Sequence, residues 1–138
     1  MHILIIPSWY PTKRNPISGV FFREQAHALR KAGHQIGVVY PERRSIKEFR
    51  FKVIRRKFSK EDDNGIVTVR THGWSWFPRI PHRNARLLIN DGLDLFELYI
   101  KQYGKPDIIH AHSMLYGGAI SAVIHHKYSV PFVVTEHF

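Results

Sequence analysis

Apolar residues fall in short continuous runs, and these alternate with longer segments of helical composition across polar, glycine- and proline-bearing stretches. His2-Ile6 is one such run and predicts a strand covered on both faces, because alternation is lost when neither side of a sheet meets water. Pro7 to Ser18 predicts a loop, with three prolines, Trp9, Tyr10 and the pair Lys13-Arg14. Ser18 offers a side-chain cap to a helix opening at Gly19, and Gly33 ends that helix in the left-handed conformation. Gln35-Tyr40 is a second strand, stopped by Pro41. Glu42 to Asn64 reads as irregular and closes on the turn signal Asp62-Asp63-Asn64-Gly65, after which Ile66-Arg70 is a third strand. His72 to Arg83 reads as a loop and Ala85 to Tyr103 as a helix ended by Gly104. Pro106-His110 is a fourth strand, Gly117-Tyr128 a helix and Pro131-Thr135 a fifth strand.

Strands alternating with helices place the chain in the α/β class. The expected fold is a Rossmann-like open, mostly parallel sheet of about five strands, in the order 3-2-1-4-5, with helices on both faces. That order sets the ends of the first and fourth strands side by side at the switch point. The Pro7–Gly19 and His110–Gly118 loops then face each other across one crevice.

Size changes this picture little: 138 residues make about one domain, without internal repeat or low-complexity tract. Hydrophobic content of 43% argues against disorder. The absence of cysteine excludes disulfides, thiolate metal sites and cysteine nucleophiles, and fits a reducing compartment. The run Ile3-Ile6 directly after Met1 leaves no room for a secretory signal, and no stretch approaches the roughly 20 apolar residues of a membrane span. Charge matters more. A net +10 asks for an anionic partner: nucleic acid, a membrane surface or a phosphorylated ligand. Arg43-Phe58 holds eight of the basic residues, interleaved with apolar ones. It reads as a solvated face, as a patch lying on an anionic membrane, or as a nucleic-acid contact. The last has no recognition-helix or RNP-type motif behind it.

The chemistry concentrates at strand ends. Neither a G-x-G-x-x-G nor a P-loop pattern is present. Ser18-Gly19-Val20 at a helix start either caps the helix or offers backbone N–H groups to an anion. His110 and His112 point to the same side of an extended strand. They can bind a sugar hydroxyl or phosphate, ligate zinc together with His137, or pack as strand-end residues. His110, adjoining the apolar run, reads as scaffold bonded to backbone, and His112 as the ligand-facing side chain. Glu136 reads as an exposed strand-end carboxylate or as an acid–base group.

In this order and spacing, HILIIPSWYP with the loop to SGVFF, EQAHALRKAGHQIGVVYP, PDIIHAHSMLYGGAISA and PFVVTEH resemble the N-terminal, acceptor-side half of a family 4 glycosyltransferase of GT-B architecture. The resemblance covers nearly the whole chain and is weakest over Arg43-Asn84. It implies retaining transfer of a sugar from a nucleotide-sugar donor to a glycan or lipid-linked acceptor, with no cofactor and no required metal. By motif position, His112 would be catalytic, contacting the transferred sugar, and Gly19 would approach the donor diphosphate. Ser18, Gly117, Glu136 and His137 would border the acceptor cleft. Such enzymes carry a C-terminal donor-binding domain with an E-x7-E element, and this chain stops at Phe138. Residues 1–138 are therefore expected to be a single, incomplete N-terminal domain, inactive alone. The implied location is cytoplasmic, peripheral at the inner face of the cell membrane through Arg43-Phe58, with no nucleic acid bound. Two other readings stand beside it: a non-enzymatic Rossmann-like nucleotide- or nucleic-acid-binding module, and a zinc hydrolase built on His110, His112 and His137.

Overall fold

The computed structural model describes residues 1–45, 57–75 and 80–136. Along the chain these form β1 (His2–Pro7), α1 (Val20–Lys31), β2 (Gln35–Ser45), β3 (Lys57–Asp63), β4 (Ile66–Ser75) and α2 (Pro81–Tyr103). There follow β5 (Ile108–His112), a π-helical turn (Ser113–Gly118), α3 (Ala119–Tyr128) and β6 (Phe132–Thr135). The strands make one sheet in the order β3-β4-β2-β1-β5-β6. All pairings are parallel except the β3–β4 hairpin. The five expected strands keep their expected order, and β3 is added at one edge.

β1 shows why its sequence is a continuous apolar run. Leu4 and Ile6 pack with Val39, Val69, Leu95, Phe96 and Ile109 on the face covered by α2 and α3. Ile3 and Ile5 pack with Phe22 and Ala26 of α1 and with Ile36, Val38 and Ile66 on the other. Leu4, Ile5 and Ile6 are fully buried, each contributing roughly 1.5–3 kcal/mol by removal from water.

Three differences from the sequence reading have physical causes. First, Pro41 does not stop β2, which continues to Ser45 in register with β4 as far as Ser75. Pairing with β1 ends at Val38, so β2 has an open edge beyond it, where a missing N–H is tolerated. Second, part of the expected irregular stretch is β3, whose polar sequence suits a charged edge strand. It joins β4 through Asn64-Gly65, both left-handed, the geometry of a two-residue hairpin turn. Third, α2 opens at Pro81 rather than Ala85, because proline is tolerated in the first helical turn, where its missing N–H has no partner to lose. Among the described residues no helix is long and apolar enough to cross a membrane.

Candidate functional site

The loops expected to face each other do meet. Pro7 at the end of β1 is in register with His112 at the end of β5. Between the two loops stands Ser8, which sequence reasoning missed: its Oγ donates to the His112 carbonyl at 2.7 Å and accepts from the Gly117 N–H at 3.3 Å. Gly117 has to be glycine, since a Cβ there would lie 2.3 Å from the Ile6 carbonyl oxygen. The seam between β1 and β5 is therefore closed. The chain leaves it through Ser113, at φ 68, into the π-helical turn, a form that recurs at functional sites.

The two histidines lie in one stack. His112 sits between Phe22 and His110, with ring centroids 4.3 Å away on each side. Its side chain has no exposed surface, whereas His110 is half-buried and its Nε2 lies 2.8 Å from the Thr135 hydroxyl. Exposure thus runs opposite to the order read from the sequence, and His110 has a side-chain partner where the sequence suggested backbone. His137 lies outside the described residues. Among those described, no three potential metal ligands cluster.

Glu136 reaches back to accept a hydrogen bond from the Met114 N–H, at the start of the π-helical turn. A carboxylate thus occupies a helix start, where exposed N–H groups favour negative charge. At the other helix start Gly19, not Ser18, is the N-cap, and no side chain caps α1. The Ser18 N–H donates to Asn15 Oδ1 at 3.2 Å instead. Gly19 is left-handed, at φ 72, and the Trp9 carbonyl crowds it as well: a Cβ would stand 2.5 Å from that oxygen. The N–H groups of Val20, Phe22 and Arg23 are taken by the carbonyls of Ile17 and Gly19.

Open volume lies beside the seam, where β2 and β4 run past the end of β1. One cavity of about 620 Å³ is lined by Ser8, Tyr40, Arg43, Pro81, Leu115 and Tyr116, among others. Arg43, expected in a solvated or membrane-facing patch, is instead nearly buried. It pairs with the buried Asp91 of α2, and its Nη1 donates to the Trp74 carbonyl at 2.9 Å. Residues 46–56 of that patch lie outside the described ones.

Tyr40 and Arg43 also line a second cavity of about 430 Å³, which opens towards Arg14 and Arg44 under the Tyr10–Ser18 loop. Glu42 and Arg44 of its lining begin a hydrogen-bonded row across three strands, which continues into a neighbouring cavity. Arg44 Nε donates to Glu42 at 2.9 Å, Glu42 lies 2.7 Å from His72 Nδ1, and His72 Nε2 lies 2.8 Å from the Ser59 hydroxyl. Burial works to raise the Glu42 carboxyl, but Arg44 and His72 outweigh it and hold the group below its ordinary value. Further along, Arg23 holds Asp63 down to about 2, against a smaller opposing effect of burial, and His27 assists.

A fold of this order, with paired loops at the switch point, matches known proteins. The family model described as Glycosyltransferase Family 4 matches residues 18–138. This chain belongs to that family. It is 31% identical to a Bacillus subtilis (strain 168) protein named for teichuronic acid biosynthesis, the glycosyltransferase TuaC, over 99% of this chain and 36% of that protein. In fold it is similar to the catalytic domain of Starch Synthase IV from Arabidopsis thaliana, bound to ADP and acarbose, at TM-score 0.59 and 15% identity. That match covers 99% of this chain and 34% of the other. The family 4 chain thus has the fold of one Rossmann-like half of a GT-B architecture and spans about a third of the length of each of these two proteins.

Proposed function

We propose that the chain is the acceptor-side half of a glycosyltransferase that moves a sugar from a nucleotide-sugar to a glycan or lipid-linked acceptor, with retention and without a metal or cofactor. One observation carries the reading: the family match takes in the glycine-opened helix and the H-x-H pair on the β5 side of the seam, where they converge with the end of β1. In this reading His112 contacts the transferred sugar at the floor of the seam, with Phe22 and His110 fixing its ring. Opening of the π-helical turn, whose Met114, Leu115 and Tyr116 are exposed, gives the sugar access. Developing charge on the leaving diphosphate is met by the positive helix end at Gly19 and by the Met114 N–H, where Glu136 now sits.

The acceptor enters beside the seam, bordered by Ser18, Gly117 and Glu136, and continues through the cavity lined by Ser8 and Tyr116. A relative named for teichuronic acid biosynthesis makes a growing acidic glycan the acceptor we favour. A second domain supplies the donor site, so residues 1–138 alone turn over nothing. The same reading puts the protein at the inner face of the cell membrane, drawn there by the basic charge of the sequence between Arg43 and Phe58, with Arg43 itself held inside by Asp91.

The test is release of nucleotide from a panel of nucleotide-sugars, with and without acceptor glycans. A protein joining this chain to a donor-binding half should transfer sugar while the 138-residue chain does not. Turnover by the short chain, or none by the joined protein on any donor, would overturn the proposal. Salt-sensitive sedimentation with anionic liposomes checks the membrane placement.

A further inference from the structure

The face of the sheet that carries α1 holds a cation with little to answer it. Arg70, from β4, is 5% exposed, and its guanidinium carbon lies 5.4 Å from the centroid of the Tyr10 ring and 5.5 Å from that of Tyr40. Its Nη2 reaches one carboxylate, Glu61, at 3.2 Å, and that side chain is 47% exposed. Its Nε and Nη1 are buried and have no hydrogen-bond partner among the described residues. Burying charged donors unpaired is costly, and an oxyanion that takes Nη2 together with one of them recovers part of the cost. The planar guanidinium fork matches carboxylate and phosphate oxygens alike.

Its surroundings carry both signs, and on one side the positive prevails. Arg70 and Lys13 both line two adjoining cavities, of about 230 and 460 Å³. The smaller is lined by four cationic side chains, Lys13, Arg14, Arg44 and Arg70, against two carboxylates, Glu42 and Glu61. Glu42 is already committed to Arg44 and His72. Thr12, Arg14, Glu42 and Arg44 connect this cavity with the one that leads past Tyr40 and Arg43 towards the seam. A chain of sugars can follow that path over the end of β2.

We infer that Arg70, with Lys13 above it, forms an oxyanion subsite that reads a carboxylate or phosphate carried by the acceptor some distance from the reacting sugar. This rests on the glycosyltransferase reading of the chain. Glu61 holds the site when it is empty and swings out when the ligand's oxyanion takes its place. The aromatic rings of Tyr10 and Tyr40 keep the guanidinium plane fixed and exclude water.

The test is calorimetric titration of the 138-residue chain, at constant ionic strength, with inorganic phosphate, glucuronate and neutral glucose. Saturable binding of at least one anion, on the order of millimolar, and none of glucose is the expected result. A stronger response to phosphate assigns a phosphoryl-bearing acceptor, and to glucuronate a carboxylate-bearing one. Arg70→Met should weaken the anion about tenfold or more. Lys13→Ala, on an exposed loop where folding is not at stake, should weaken it roughly threefold. No anion binding, or binding unchanged in Lys13→Ala and in any folded Arg70→Met, overturns the subsite. In the joined enzyme, transfer to an anionic acceptor that ignores both substitutions overturns the subsite and keeps the transferase reading. Anion binding lost on substitution, in an enzyme that transfers no sugar, overturns the transferase reading and keeps the subsite.

Discussion

The β1–β5 seam and the overhang of β2 and β4 are built from similar residues and behave in opposite ways. At the seam the strands end together, with Pro7 opposite His112, so loops close over polar groups and His112 has no exposed surface. At the overhang two strands continue after β1 has ended, and their side chains line open cavities on both faces. Polar groups at the seam are held by packing and a bridging hydroxyl. Those at the overhang are held by charge: Arg43 by Asp91, Glu42 by Arg44 and His72. In a parallel sheet, where each strand stops decides which histidine is floor and which arginine is wall.

The contrast can be broken from either side. Asp91→Ala leaves the Arg43 cation buried and without its carboxylate, and should cost the most, about 3 kcal/mol in urea unfolding. Loss under about 1 kcal/mol would show that the overhang is not held by charge. His112→Ala removes a packed ring from the seam and should cost about 2–3 kcal/mol, whereas His112→Phe should keep most of it. Gly117→Ala pushes a methyl group against the Ile6 carbonyl and should lower stability by about 1–3 kcal/mol, read as a lower melting temperature.

The smallest effect is in acid. Asp63 is shifted down from 3.8 to about 2, so its stabilising contribution is present above the unfolded value and is lost as pH falls from there through about 2. Asp63→Asn should flatten that part of the stability profile. A variant as acid-sensitive as the parent would assign the slope to other carboxylates.

Apolar runs made strand order legible, because a strand buried on both faces writes itself as HILII or PFVV. Asn64-Gly65 marked a turn for the same local reason. Strand length was not legible: whether Pro41 ends β2 depends on where β1 stops, and that is set by a partner distant in sequence. The polar strand β3 carried no apolar pattern because its place at the sheet edge requires none. At the site, the H-x-H pair could be seen, but the exposure of each histidine could not. Phe22 and Ser8, which cover His112, reach it from other elements. Arg70 and Asp91 gave no signal, since a charged residue in a strand or helix pattern reads as solvent-facing until its neighbours are known.

The most direct measurement is sugar transfer by the joined two-domain enzyme carrying His112→Phe, set beside its unfolding midpoint. The phenyl ring keeps the stack with Phe22 and His110 and removes both ring nitrogens. If His112 acts on the transferred sugar, turnover falls about a hundredfold or more while the midpoint stays near that of the parent. Turnover equal to the parent's in a folded His112→Phe enzyme would contradict the account.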